Sequence, residues 1–438
     1  MQALAIVTYG DGSSTHGDVL TRRGLIVASL AVLAAVVFVG VAVRKQHVAG
    51  PSPNASDAAR GLLDGGACQL SLTRAELETS LTLGTEFLVA HQREAGNFDY
   101  LYDWKAKTYA ADDSEVRQAG ALWGLALIAQ FEGPPRAPAS LGPALEKGLR
   151  FFDGRAGTTK AGGRFPTYSV EGRPRDSGGL GMAALVTLSV IDYVRSLPPD
   201  DRSAIDLWTS RANAYVAYLV ESRDDQGLWF RKYDYDGGAA SGPHSSYYDG
   251  EALLALVKAM KYLGRDDLAP IVKKAAAAGH RVNVQQALAA DPDSDTTKGY
   301  YQWSSMAFYE LATSKWSSDA PYGEWLLSLA DWMLDVHGVL GRQRNTGYAY
   351  EGLIPAYAWA EKTGDARRSA KYACAIHQGL GNLLSWQVGH PRASALGPID
   401  DPKATGGVQN HASEPDLRID VTQHQMHATI LALRHLFR

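Results

Sequence analysis

The chain has 438 residues, 45% of them hydrophobic, with 43 Lys and Arg set against 47 Asp and Glu for a net charge of -4. So near a balance, and without a dense Lys/Arg stripe, the sequence excludes nucleic acid as the expected partner. Its two cysteines, Cys68 and Cys374, exclude a disulfide scaffold and leave either one bridge or two free thiols.

The first element in chain order is Gly24 to Val43, a run of twenty residues with no charged or amide side chain. As a helix it spans roughly 30 Å, the hydrocarbon thickness of a bilayer. Arg22 and Arg23 precede the run and Arg44 and Lys45 follow it, so flanking charge alone does not orient it. Thr21-Arg22-Arg23-Gly24-Leu25-Ile26 resembles a twin-arginine export signal, which implies a cytoplasmic N-terminus and an extracytoplasmic remainder. Val48-Ala49-Gly50 is a poor cleavage site, which favours an uncleaved single-pass anchor. The expected organisation is a cytoplasmic segment at 1–23, a transmembrane anchor at 24–43, a flexible linker at 44–72 and a folded domain at 73–438. Pro51, Pro53, Gly61, Gly65 and Gly66 support the linker.

From Thr73 onward, apolar residues recur at helical spacing and alternating Val/Ile runs are scarce, which predicts an all-α domain. The spacing gives about twelve helices, at 74–92, 114–131, 140–153, 178–195, 202–221, 249–263, 266–280, 300–313, 321–337, 349–362, 366–387 and 419–437. Thr73 and Glu76 have the spacing of a capping box, and Gly264 and Gly364 suit helix ends. Connections alternate in length: 93–113, 154–177 and 222–248 are long, whereas 264–265 and 363–365 are short returns. Hairpins alternating in this way close into a ring with all long loops at one end, the (α/α)6 toroid. Each of the first three long loops opens with a Gly-x-aromatic element, Gly96-Asn97-Phe98, Gly163-Arg164-Phe165 and Gly227-Leu228-Trp229. Their structural role is to wedge between hairpins.

In such a ring the even-numbered helices are the inner ones, and their N-termini open into one funnel. Functional residue types collect there. The second helix starts at Asp112-Asp113-Ser114-Glu115-Val116-Arg117, and the fourth follows Arg175-Asp176-Ser177. The sixth begins with Tyr247-Tyr248-Asp249-Gly250-Glu251 and the eighth with Tyr300-Tyr301-Gln302-Trp303. Tyr348-Ala349-Tyr350-Glu351 opens the tenth, and Arg418-Ile419-Asp420-Val421-Thr422-Gln423-His424 the twelfth. Ser114, Ser177 and Asp112 read as caps. Glu251, Glu351 and Asp420 lead into apolar helices, where desolvation raises a carboxyl toward the range of a general acid, unless Arg117 or Arg418 pairs with it. Glu251 and Glu351 are thus the candidate acids, with Asp113, Asp249 or Asp420 as partner. Glu115, Arg117, Asp176, Tyr248, Trp303, Tyr348, Arg418, Gln423, His424 and the loop residue Trp104 are candidates for substrate contact, since aromatic rings, carboxylates and Arg suit a wet groove for sugars. No metal or cofactor is expected.

This constellation on about twelve helices resembles the six-hairpin glycosidase superfamily, toroids that include glycoside hydrolases, sugar epimerases and polysaccharide lyases. The resemblance spans nearly all of 73–438 but rests on architecture and residue types, with no complete family motif. It implies a glycan substrate and, first, a glycoside hydrolase with paired carboxylates. A second implication is a lyase or C5-epimerase on uronic-acid glycans. There Tyr248, Tyr348 or His424 would move a proton while Arg117 or Arg418 neutralises the substrate carboxylate. The third is a non-catalytic toroid that binds a glycan or serves in envelope assembly. Gln92-x-x-x-Gly96-x-Phe98 also resembles the repeats of triterpene cyclases, but the Asp-x-Asp-Asp acid they need is absent. Cys374 and His377 lack the further Cys of a zinc-dependent toroid. Asp291-Pro292-Asp293-Ser294-Asp295 resembles the start of a calcium loop, yet Thr296 stands where Gly is required and Gln302 at the twelfth position, so surface solvation is expected.

Overall fold

The structure is a computed structural model, and it describes residues 68, 70–133, 138–170, 173–397, 399–411 and 413–437. The expected anchor at 24–43 and nearly all of the linker lie outside these residues; within them, no helix is long and apolar enough to cross a membrane.

Twelve principal helices follow one another among the described residues: Arg74–Ala90 (α1), Glu115–Glu132 (α2), Leu141–Asp153 (α3), Leu180–Ser196 (α4), Arg202–Glu221 (α5), Ser246–Tyr262 (α6), Ala269–Gly279 (α7), Asp295–Ala312 (α8), Tyr322–Asp335 (α9), Gly347–Thr363 (α10), Ala366–Leu384 (α11) and Ile419–His435 (α12). A π-helical segment, His280–Gln286, prolongs α7. The even helices touch in the cycle α2, α4, α6, α8, α10, α12 and back to α2, so the inner ring is closed. Outside it, α3, α5, α7, α9 and α11 each pack on the inner helix just before them in sequence, and α1 packs on α12. The first outer helix and the last inner helix therefore make the sixth hairpin, and Arg74 pins this closure by donating to the Phe437 carbonyl at 2.8 Å.

The sequence explains the two layers. Inner helices need apolar residues on every face, because both sides are covered: Gln118 to Ala129 of α2 and Leu180 to Asp192 of α4 are buried without a break. The outer α11 buries Tyr372, Ile376, Leu380 and Leu383 and leaves its other face to water. The capping box of Thr73 and Glu76 forms at the start of α1.

The long connections gather at one end of the ring. Leu101–Asp103 pairs antiparallel with Asp416–Arg418, and Ser177–Gly179 pairs with Phe230–Asp234. Tyr168 donates to Asp113 at 2.8 Å, Arg344 bridges to His411, and His337 meets Asp293 at 2.6 Å, which links the remaining loops around the circle. These ribbons correct the all-α expectation locally. They are two to five residues long, most pair with a neighbour in sequence and two join distant loops, so none is long enough for an alternating pattern to betray it. The aromatic wedges are in place, with Phe98, Phe165 and Trp229 almost fully buried. Gly96 has φ 109°, and a Cβ there would lie 2.6 Å from the Lys147 carbonyl, so only glycine serves.

Cys68 and Cys374 form a disulfide across a sequence separation of 306 residues, fastening the start of the domain to α11. In the chain-entropy account a loop of that length stabilises by about 5–6 kcal/mol at most. Cys374→Ala, or wild type in reductant, should melt several degrees lower by calorimetry. Reductant should leave the variant unchanged. An unaltered wild-type transition in reductant would contradict the bridge.

Candidate active site

Glu351 projects into the ring from the second turn of α10 and is fully buried. Two histidines of α12 converge on it: His424 Nδ1 lies 3.1 Å and His427 Nδ1 3.0 Å from Glu351 Oε1. Residues three apart share a helix face, which is why one carboxylate reaches both rings. A carboxylate only accepts, so each ring donates from Nδ1 and turns its Nε2 away. Burial pushes the Glu351 carboxyl up, but the charges and hydrogen bonds of His424 and His427 outweigh it and hold the group below its usual value. Burial likewise pushes His424 down, and Glu351 more than reverses that, raising the imidazole above its usual value. Of the pair, the His424 side chain keeps 24% exposure and Glu351 none, so only His424 can meet a ligand.

Glu251 is the opposite case. It is buried between α6 and α4, its Oε2 has no hydrogen-bond partner, and burial alone raises its carboxyl far above the usual range. The close approach to α4 depends on Gly181, where a Cβ would come within 2.4 Å of Glu251 Oε2 and 2.5 Å of the Tyr248 ring. Burial thus favours the protonated form of Glu251, with Tyr248 beside it.

Aromatic rings join these groups. Trp303, backed by Gly250, lies 6.2 Å from the His424 ring and 5.6 Å from Trp123, and Trp123 lies 5.0 Å from His427. Deeper in the ring, Trp123 donates to Asp192 at 2.8 Å, and Asp192 is held by Arg195 at 2.6 Å and by Lys258. Gln423 packs on Gly124, where a Cβ would sit 2.6 Å from its Cγ. The Trp303 Nε1, Gln423 Nε2 and Glu251 Oε2 atoms are buried without partners, an arrangement that a hydroxyl-rich ligand could satisfy.

At the mouth, Asp420 accepts from Arg418 at 3.0 and 2.5 Å and pairs with Arg117 at 3.3 Å, with both guanidiniums stacked near Tyr100. The two arginines and the burial of Asp420 oppose one another, and the arginines prevail, keeping its carboxyl below the usual value. A polar cavity of about 440 Å³ opens there, lined by Tyr100, Asp113, Arg117, Asn410 and Arg418 among others. Glu115 pairs with Arg175 nearby.

Three expected acid–base partners are committed elsewhere. Asp249 accepts the Trp229 N–H and Asn283 Nδ2, both at 2.9 Å, and faces the outer layer. Two residues along a helix is a turn of about 200°, so Asp249 and Glu251 cannot share a face. Burial raises Asp249 to about 6. Asp113 is a loop anchor, accepting from Ser114 N–H at 2.8 Å, Gln118 at 2.7 Å and Tyr168 at 2.8 Å. Asp420 belongs to its arginines. Glu351, expected as an acid, is held ionised. Of the proposed contact residues, Asp176 is exposed, Trp104 is half-buried in its loop, and Tyr348 turns its hydroxyl toward His337. His427, Trp123 and Asn283 are functional positions that residue type and helix starts do not mark; for His427 the three-residue spacing from His424 is the available signal. Among the described residues no cluster of three or more His, Cys, Asp or Glu could hold a metal ion.

The sequence matches no family model and no curated protein. Solved structures share the fold. A sugar epimerase from a ruminal bacterium aligns at TM-score 0.59 and 11% identity, over 82% of this chain and 99% of that one. The cellobiose 2-epimerase of Spirochaeta thermophila aligns at TM-score 0.58 and 13% identity, over 88% and 100%. A GH76 α-mannanase of Bacteroides thetaiotaomicron gives 0.55 and 11%, over 83% and 97%. At such identities the likeness is one of fold, and it bears out the six-hairpin toroid.

Proposed function

We propose that this chain is a carbohydrate-active enzyme in which His424, oriented by Glu351 and made more basic by it, transfers protons on a sugar ligand, with Glu251 as the acid. The observation that carries this reading is the enclosure of Glu351 between His424 and His427, with only His424 open to the funnel. A fixed carboxylate behind an imidazole sets its tautomer and raises its basicity, the arrangement a general base requires. The solved structures of this fold named above are a mannanase and sugar epimerases, which supports a sugar as the ligand. The unpartnered buried atoms of Trp303, Gln423 and Glu251 support a ligand with many hydroxyls.

The reaction class that fits best takes a proton from the sugar and returns one, as in epimerisation or isomerisation. Glycoside hydrolysis is the second reading, favoured by the protonated Glu251, which has the character of a glycosidic acid; His424 would then activate water. A uronate lyase is less well supported, because Arg117 and Arg418 already share Asp420. The Cys68–Cys374 bridge supports an oxidising compartment outside the cytoplasmic membrane, and the apolar run at 24–43 a single-pass tether.

The test incubates the full chain in detergent with a panel of neutral and acidic sugars and glycans. Epimerisation or isomerisation yields an isomer of unchanged mass, hydrolysis yields new reducing ends, and elimination yields an unsaturated uronate absorbance. Binding without any product would sink the enzymatic reading.

A further inference from the structure

The acidic segment at 291–295 has a role that surface solvation does not cover. Ser294 caps α8, accepting from Thr296 N–H at 3.2 Å, and the residue before it, Asp293, reaches across to the connection between α9 and α10. There its Oδ1 lies 2.6 Å from His337 Nδ1. His337 is buried, stacked on Trp332 at 5.1 Å, and Trp332 in turn donates from Nε1 to the Pro292 carbonyl at 2.8 Å. Ring and carboxylate are therefore fixed from both sides. On the far side of the imidazole, Nε2 lies 3.4 Å from the hydroxyl of Tyr348.

The proton positions follow from the chemistry of the donors. Asp293 Oδ1, which only accepts, is the nearer neighbour of His337 Nδ1 at 2.6 Å and places the hydrogen there, against Arg342 Nη2, a donor 3.1 Å from the same nitrogen; Nε2 is then bare, and the Tyr348 hydroxyl donates to it. Carboxylate, imidazole and hydroxyl thus stand in line. Tyr348 is half-buried in the first turn of α10, three residues before Glu351 and so on the same side of the helix, one turn nearer the mouth.

We propose that Asp293, His337 and Tyr348 form a proton relay in which Tyr348 is a second proton-transfer group of the funnel, with His337 and Asp293 as its positioning residues. The proposal rests on the reading of the funnel as a sugar site. A ligand hydroxyl gives its proton to Tyr348 Oη as the proton of Tyr348 passes to His337 Nε2. Only O–H and N–H bonds change, leaving a ligand alkoxide and an imidazolium beside Asp293. The groups facing this relay are Arg342 and Lys298 around His337, and Tyr247, Asp295 and Arg342 around Tyr348. Arg342 also pairs with Asp293 at 3.6 Å and donates to the His337 carbonyl at 3.2 Å; its charge disfavours the imidazolium, which the Asp293 carboxylate offsets.

Histidine-selective ¹⁵N NMR of the full chain in detergent, with the His337 signal identified by its loss in His337→Gln, reads the relay without a substrate. The expected result is a neutral Nδ1–H ring whose Nε2 signal moves in Tyr348→Phe at unchanged melting temperature. An Nε2–H ring, or no response to Tyr348→Phe, overturns the relay. On whichever sugar the wild type converts, Tyr348→Phe should lower kcat about a hundredfold with KM within about threefold. Asp293→Asn should lower it about tenfold, with Asp293→Glu recovering part of the loss. Wild-type turnover in Tyr348→Phe overturns the proposal. If the wild type converts no sugar, the functional reading fails, and the NMR result still decides whether the relay exists.

Discussion

Glu351→Gln should lower turnover about a thousandfold while leaving the fold intact. The amide keeps the shape and one acceptor oxygen for the histidines, but it carries no charge. With the charge gone, burial and Arg418 act on His424 against Asp420 alone, and its pKa should fall from above to below the usual histidine value. The pH–rate profile should move with it. Stability changes in a defined direction too. The lowered Glu351 stabilises the wild type above its unfolded pKa, and that contribution is lost as pH falls through the folded value. The raised His424 contributes fully below its unfolded pKa, and this is lost as pH rises through its folded value. The variant loses both dependences and gains the reverse one at His424, so its melting temperature should rise with pH through the histidine range, where that of the wild type falls. Unchanged kinetics in a folded Gln variant would make the dyad a structural ion pair.

Glu251→Gln should give the second large effect, with activity and stability moving in opposite directions. Folding holds a proton on Glu251 that the unfolded chain releases, so wild-type stability falls as pH rises from the ordinary carboxyl value toward the raised one. Glutamine fills the same space between α6 and α4 and never ionises. Turnover should drop at least a hundredfold, whereas the melting temperature at neutral pH should exceed that of the wild type and the gap should close near pH 4. Thermal melts across pH, run beside the kinetic assay, test both halves. A variant that melts lower than wild type at neutral pH would show that the carboxyl has a partner.

Much of the architecture is legible in the sequence because its causes are local. Continuous apolar stretches mark helices covered on both sides, and the alternation of long loops with returns at Gly264 and Gly364 gives the ring and its open end. Geometry internal to one helix was available as well: the 200° step between Asp249 and Glu251 already bars them from acting together. What is not legible depends on neighbours supplied by the closed ring. Glu351 meets histidines 73 and 76 residues away, and Asp113 meets a tyrosine 55 residues on. Until the helices are in place, nothing tells an ionised carboxylate behind an imidazole from a protonated acid. Glu251 and Glu351 look alike in sequence and take opposite protonation states, one lacking any partner and the other holding two. The same applies to Asp293, whose purpose shows only once His337 is beside it.

The most direct test of proton transfer by His424 is sugar turnover in D₂O, with product deuteration read by NMR and mass spectrometry. The account predicts an isomer of the starting sugar carrying solvent deuterium on carbon in the wild type, and loss of that exchange in Glu351→Gln. An isomerised product with no deuterium on carbon, or exchange that persists at the wild-type rate in Glu351→Gln, would contradict it.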